Sequence, residues 1–532
     1  MHTANVRPRA AARHLAGLAC ALLALLALGT GCPNTAAPPD DDFVETIYPD
    51  GQDVAGEVLE NWQGLPLKVL VPEKAGRRPI PLSDVDGKGY NGLLFHSGSG
   101  SLVGSPVFEK NNPWRKKAWA RIDTYRKGPA KVLVKDAAGN PLAGAHVNIA
   151  MYEHEYEFGT AVNNLIHGQG ESNAKYQKAA SALFNAAVLE NQHKWVPFES
   201  SPSETAAQYD AAVALGLKKV RGHTLMWDKA FSNNTWEANN SFPKDLFDMV
   251  QAGNKSGVDT RIHNHLLAIT DAYNGPERKV GEWDAVNEVL WNHTIRDKWG
   301  NAVLKDWFDW AREGAGADTK LFINETNLLG LTTTQGYSAE RVGQFKTVLD
   351  WLLSNNAPFD GIGIQSHFSD YIVTPEDFYN MLDEFAAYGK ILKVTEFDMG
   401  RQPTDSNPNP APPEPNYEAD FTRDILIACF SHPDTNGYLM WGFWSNAHWT
   451  NNAPIFNADW SLKESGRQYI DLVYNKWRSR LSGVTGADGT FSARVYYGDY
   501  DITVTAADGK TATAESVHWY KGQNNTTVVI VE

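Results

Sequence analysis

From about Phe158 to Trp477 the chain repeats one rhythm: a short apolar, β-rich run ends in a polar or aromatic residue, and a longer segment with helical spacing follows. Eight such runs can be read: Phe158–Val162, Phe184–Glu190, Lys218–Trp227, Gly281–Glu288, Lys320–Glu325, Gly361–His367, Ile391–Glu396 and Gly437–Trp444. Between them lie helical candidates such as Ala174–Ala182, Glu340–Leu353 and Glu376–Tyr388. Alternating strands and helices call for a parallel sheet, and eight units in roughly 320 residues suit a closed (β/α)8 TIM barrel over residues 158–478. An open doubly wound sheet is the alternative, but no Gly-rich dinucleotide fingerprint follows any of the runs.

The flanks break this rhythm. Residues 111–157 hold two alternating runs, Lys131–Lys135 and His146–Met151, joined by turn residues around Gly139 and Pro141, and read as a β-hairpin or small β-module. Residues 479–532 read as a second β-module, with strands at Phe491–Tyr496, Tyr500–Thr505 and Thr526–Val531 between Gly-Asp and Asp-Gly turns. Either module is able to bind sugar or to brace the barrel, and bracing is the expectation. Residues 43–110 are rich in Gly and Pro, have weak periodicity, and receive no assignment.

The N-terminus carries an address. Arg7, Arg9 and Arg13 precede an apolar run, Leu15 to Leu28, that is too short to span a bilayer and has the anatomy of a signal peptide. It ends in Leu-Gly-Thr-Gly-Cys32, which resembles a bacterial lipobox although Gly29 stands where Leu is usual. Residues 1–32 are therefore expected to be a lipoprotein signal with Cys32 lipidated, and 33–42 a Pro- and Asp-rich tether. Export to a membrane-anchored position at the cell surface or periplasm follows, with plain secretion as the alternative. Of three cysteines, Cys20 and Cys32 fall in this segment, so Cys429 alone remains and cannot form an intramolecular disulfide.

Composition excludes other classes. At 42% hydrophobic and 21% charged, the 532 residues are too polar for a multi-span membrane protein. A net charge of −15 leaves nothing to neutralise phosphates, so no nucleic-acid partner is expected. No metal-ligand spacing or nucleotide motif is visible, and neither metal nor cofactor is expected. A monomer is expected.

Functional groups of a (β/α)8 barrel collect at the C-terminal ends of its strands. Here those ends carry Glu190-Asn191 with Lys194-Trp195, His223 and Trp227, Asn287-Glu288, Asn324-Glu325, Gln365-Ser366-His367, Glu396 with Asp398, and Trp441 to Trp444 with Trp449 beyond. Seven consecutive strand ends bearing carboxylates, amides, His or Trp are hard to explain as packing. Strands four and seven lie on opposite sides of a barrel mouth, so Glu288 and Glu396 face each other across whatever binds there. Two facing carboxyls are what glycoside hydrolysis requires, and a separation of about 5–5.5 Å would mean retention through a covalent glycosyl-enzyme. One must be protonated while the other is ionised, with His367 and Asp398 as tuners. Asn287 suits a hydrogen bond to a sugar 2-hydroxyl, and Trp faces suit pyranose rings.

Residues 158–477 resemble glycoside hydrolase family 10, the endo-β-1,4-xylanases. The resemblance rests on Phe158-Gly-Thr-Ala-Val162, Glu190-Asn191-x-x-Lys194-Trp195, Arg221-Gly-His-Thr-Leu-x-Trp227, Trp283-Asp-x-Val-Asn-Glu288, Gly361-Ile-Gly-Ile-Gln-Ser-His367, Thr395-Glu-Phe-Asp398, and Trp441-Gly with Trp449. It implies retaining hydrolysis of xylan, a β-1,4-linked polysaccharide, with Glu288 as acid/base and Glu396 as nucleophile. It also implies that Glu190, Asn191, Lys194, His223 and Trp227 hold the glycone sugars. Asn287, Gln365 and His367 would surround the cleaved bond, and Trp441 and Trp449 would stack on sugar. The segment at 111–157 resembles a module found ahead of such barrels in some bacterial multidomain members.

The chain departs from the family in four places. Asp228 stands where His is usual, and strand five ends Asn324-Glu325-Thr326-Asn327 where Asn-Asp-Tyr-Asn is usual. Trp444-Ser445 replaces a Thr-Asp pair, and a loop with six prolines spans 401–416. Thr326 removes a ring that would border the leaving-group side, which predicts weaker dependence on leaving-group sugars unless Trp444 or the loop restores the stacking.

Overall fold

A computed structural model describes residues 113–229, 236–328, 339–368, 373–400, 417–450 and 453–532. The signal segment 1–32, the tether 33–42, the region 43–110 and the loop 401–416 lie outside these residues. The expected barrel is present. Strands Glu157–Val162, Ala186–Leu189, Lys219–Gly222, Glu282–Asn287, Lys320–Glu325, Gly361–Ile364, Ile391–Met399 and Thr435–Met440 pair in parallel in that order. The last pairs with both the seventh and the first, which closes the sheet. We refer to them as barrel strands one to eight.

Strands this short leave little room for error at the crossings. Gly222 lets the Trp283 ring of strand four pass, since a Cβ there would lie 2.0 Å from it. A Cβ at Gly363 would lie 2.4 Å from Oδ1 of Asn324, so glycine on strand six keeps the strand-five amide in place.

The barrel interior is not wholly apolar. Lys393 of strand seven is buried and pairs with Glu157 of strand one and Glu282 of strand four. Glu282 accepts from Arg221 of strand three at 2.6 Å, and Arg221 also pairs with Asp284. Phe322 lies beneath this cluster, 4.3 Å from the Arg221 guanidinium. Burial opposes ionisation of Glu282 and Asp284, and the buried cations outweigh it, so both carboxyls lie below their ordinary range.

The two flanking segments are not separate modules. Lys127–Asp136 and His146–His154 do not form a hairpin with each other. The first pairs with Thr490–Tyr496 and Thr526–Val531, the second with Arg480–Val484 and Gly498–Thr505. N- and C-terminal segments thus share a three-stranded and a four-stranded sheet. The expected hairpin does not form: nine residues separate the two strands, and each is flanked on both edges by strands of the C-terminal segment instead.

The combined β-unit packs against the barrel through Tyr496, at the end of strand Thr490–Tyr496, whose ring lies 6.3 Å from Phe430. Trp477 lies 4.2 Å from Phe430 and 6.0 Å from Phe158, which opens barrel strand one. Helix Pro113–Arg126, not foreseen from sequence, docks Arg115 on Asp424 of helix Tyr417–Ser431 through bonds of 2.6–3.1 Å. Cys429 is buried in that second helix, 3.1 Å from the Tyr156 hydroxyl, and burial pushes its thiol up to about 11.

Removing one charge from the interior cluster should be costly, because its partners stay buried. Lys393→Met leaves Glu157 and Glu282 without their ammonium and is expected to destabilise the protein by roughly 3–5 kcal/mol. A urea midpoint unchanged from wild type would show that the cluster contributes nothing to stability.

Candidate active site

The chain turns over just past strand four: Glu288 has φ 55°, in the left-handed region. Its backbone N–H donates to Asn324 O at 2.8 Å, which fixes the turn against strand five. The Glu288 carboxyl then accepts from Gln365 at 3.1 Å on Oε1 and from Asn292 at 2.9 Å on Oε2. Burial raises its pKa above the ordinary value, the Gln365 bond opposes this, and the Glu396 charge adds to it.

Glu396, on strand seven, has a different shell. Oε1 accepts from Asn324 at 2.7 Å, and Oε2 meets His367 Nε2 at 3.1 Å. The other nitrogen of His367, Nδ1, lies 2.9 Å from Asp398 Oδ2. Burial works against a charge on this imidazole, but Asp398 and Glu396 outweigh it and hold its pKa at about 10. An imidazolium donates from both nitrogens, so it satisfies both carboxylates at once. Asn324 and His367 together present two donors to Glu396, as an ionised carboxylate requires.

A chain of amides links the two glutamates. Asn324 Nδ2 also donates to Asn287 Oδ1 at 2.9 Å, and Gln365 Nε2 lies 3.5 Å from that same oxygen. Thr395 donates to Asn324 Oδ1 at 2.7 Å, which orients the Asn324 amide and hence the rest. Asn287 Nδ2 is buried and has no partner among the described residues. A buried donor left unsatisfied costs about 1–3 kcal/mol, so an unpaired one at a site invites a ligand oxygen.

The remaining expected residues gather around this centre. Trp441 has its ring 5.0 Å from His223 and 6.3 Å from His367. Trp449 is 61% exposed, and its indole N–H donates to Asp398 at 2.8 Å. On the strand-two side, Lys194 donates to Asn191 at 3.0 Å and lies 5.6 Å from the Trp227 ring. Trp227 Nε1 is a second buried donor without a partner among the described residues. Burial raises Glu190 and lowers Lys194, each partly offset by the other's charge.

His223 Nδ1 lies 2.9 Å from Asp284 and 3.9 Å from Glu396. Ligand atoms of His223, Asp284 and Glu396 fall within 4.8 Å of one another, the spacing of a metal site. Their oxygens are already spent, however: Asp284 serves Arg221 and His223, and Glu396 serves Asn324 and His367. The cluster reads as hydrogen bonding rather than cation binding.

Three of the departures from the family acquire a physical account. Asp228 accepts from the backbone N–H groups of Ile295 and Arg296 at 2.8–3.3 Å, at the start of helix Thr294–Trp299. Burial pushes its pKa to about 8 against those bonds, and its oxygens face a backbone rather than a ligand. Glu325 is buried and accepts from Leu290 N at 2.9 Å, tying strand five to the loop after Glu288. Trp444 is only 6% exposed and stacks on Trp460 at 4.4 Å, so it offers no open face.

Sequence reasoning passed over Asn324 and Asn292 as site residues. Asn324 was visible as a strand-end amide; Asn292 carries no signal beyond standing four residues after Glu288.

Known proteins resemble this chain over its barrel region. Residues 148–473 match the family described as Glycosyl hydrolase family 10. A relative named anti-sigma-I factor RsgI6, from Acetivibrio thermocellus, is 29% identical over 400 residues, covering 74% of this chain and 47% of its own length. A β-1,4-xylanase of Dictyoglomus thermophilum is 30% identical over 346 residues, covering 61% of this chain and 86% of its own. Endo-1,4-beta-xylanase 1 of Arabidopsis thaliana is 25% identical, with 72% and 37% covered. The chain spans about half or less of the length of the first curated relatives it matches. Among solved structures, xylanase 10B from Thermotoga petrophila in complex with xylobiose is 20% identical with a TM-score of 0.47, covering 60% and 94%. With the match running through all eight barrel strands, the chain belongs to glycosyl hydrolase family 10.

Proposed function

We propose that the protein is a retaining endo-β-1,4-glycanase that cleaves the xylan backbone, with Glu396 as nucleophile and Glu288 as acid/base. The observation that carries this reading is the amide chain joining two carboxyls of unlike environment, with an unspent donor on Asn287 between them.

Glu288, partly buried and raised by the Glu396 charge, holds a proton for the departing glycosidic oxygen. Glu396 attacks the anomeric carbon as that bond breaks, giving a covalent glycosyl-enzyme. Ester formation removes the charge on Glu396 and with it one cause of the raised pKa of Glu288. Glu288, ionised by that transfer, therefore stays a carboxylate and takes a proton from the water that releases the sugar. The unpartnered donor of Asn287 suits the sugar 2-hydroxyl, a contact that strengthens in the transition state. Glu190, Asn191, Lys194, His223 and Trp227 hold the glycone, and Trp441 and Trp449 stack on sugar rings. His367 and Asp398 support the nucleophile.

A second reading is a surface protein that binds glycan without cleaving it. Binding alone does not call for a raised acid beside a donor-saturated carboxylate, and the hydrolytic reading explains both. Release of reducing sugar from xylan, compared with cellulose and mannan, separates the readings and tests the substrate.

Within the hydrolytic reading the two glutamates should fail differently. Glu396→Ala is expected to abolish turnover of every substrate. Glu288→Ala should spare aryl glycosides with good leaving groups far more than polymer, because those need no proton. Equal loss on both would contradict the role of Glu288, and an α-anomer as first-formed product would contradict retention.

We also propose export as a lipoprotein anchored at Cys32, from the basic and apolar segments that precede it. The mature chain should begin at Cys32 and partition with membranes, and Cys32→Ala should shift it to the soluble fraction. Equal membrane recovery of the variant would remove the anchor from the account.

A further inference from the structure

Among the described residues, two tryptophans stand out as open surfaces, and both lie at the catalytic mouth. Trp449 is tied to Asp398, as above. The other, Trp291, is 48% exposed and serves neither glutamate. It is nonetheless fixed to the acid: its backbone N–H donates to Glu288 O at 3.2 Å, and the next residue, Asn292, bonds the Glu288 carboxyl.

A second element braces the ring. The Arg341 guanidinium lies over Trp291, 4.6 Å from the ring centroid. Arg341 is itself held at the end of strand five, donating to Asn327 O at 3.0 Å and lying 3.9 Å from Glu325. An arginine over one face of an indole is attractive and leaves the other face as a flat apolar surface. Its orientation is set before any ligand arrives, so little ordering cost remains for binding.

The location decides what such a surface would meet. The glycone set comes from strands two and three, whereas Trp291 and Arg341 sit at the rim of strands four and five, beside the acid. A proton from Glu288 goes to the glycosidic oxygen, and that oxygen leaves with the leaving-group sugar. That sugar therefore lies on the Glu288 side. The family's usual ring on this side is absent here, with a buried Thr326 in its place, and Trp444 is buried against Trp460.

We propose that Trp291, backed by Arg341, is the stacking platform for the first leaving-group sugar, a β-linked pyranose, and replaces the ring missing at Thr326. This assignment rests on the hydrolytic reading given above.

The test compares two substrates on one protein. Xylotetraose, with cleavage positions mapped, places a sugar on the leaving-group side, whereas β-xylobiosyl fluoride leaves as a bare ion. The ratio of kcat/KM on the first to that on the second is independent of how much enzyme is correctly folded. Trp291→Ala should lower this ratio about fivefold, and Trp291→Phe should restore most of it. An unchanged ratio in Trp291→Ala overturns the platform while leaving the hydrolytic reading intact. A wild type that turns over neither substrate overturns the hydrolytic reading, and the platform with it.

Discussion

Two carboxyl groups in one pocket resist being charged together, and the site is organised around that resistance. Glu288 follows barrel strand four and Glu396 lies on strand seven; burial raises the pKa of the first, and the charge of the second adds to the rise. The asymmetry is set by what surrounds each. Glu396 has His367 and Asn324 aimed at it, both donors, whereas Glu288 has two neutral side-chain amides and, among the described residues, no cation in hydrogen-bond reach. The same chemical group thus has two different neighbourhoods, which is the difference that the proposed division between proton donor and charged partner requires.

The charge on His367 has its own support. Asp398 holds Nδ1, and Trp449 and His367 share the same Asp398 oxygen. Below them a run of buried charges descends through the barrel from His223 and Asp284 to Arg221, Glu282, Lys393 and Glu157. Replacing buried ion pairs with apolar groups is often neutral for stability, so these pairs are not explained by stability alone. Their effect here is positional. Arg221 keeps Asp284 charged, and Asp284 orients His223 beside Glu396. Barrel core and active site are therefore one polar structure, closed at the floor by the aromatic cluster around Trp477.

Much of this was legible in the residues. The strand rhythm marks all eight barrel strands within a few residues, because a buried parallel strand must be apolar and must end where the mouth begins. Glu288, Glu396, His367 and Asp398 stand at strand ends, and the structure brings them together. Five of the seven flanking strands were legible one at a time, Arg480–Val484 and Thr511–Trp519 being the exceptions, but not their pairing. Lys127–Asp136 and Thr526–Val531 pair in parallel across most of the chain, Lys131 opposite Thr526, and no local pattern encodes that contact. Strand Thr511–Trp519 escaped notice because its alternation is of Thr and Ala with Glu and Ser, too weak to register as apolar. Trp291 and Arg341 were equally silent: one reads as a loop aromatic, the other as a helix charge, and only the fold stacks them.

The central claim is that the charge on Glu396 helps to keep Glu288 protonated. It is tested most directly by following the Glu288 carboxyl carbon by NMR through a pH titration, in wild type and in Glu396→Gln. Removing a nearby negative charge stabilises the ionised form of Glu288, so its pKa should fall in the variant. Burial remains in both proteins and should hold the value above that of a free glutamate, about 4.3. A Glu288 pKa that is unchanged or higher in Glu396→Gln would contradict the account.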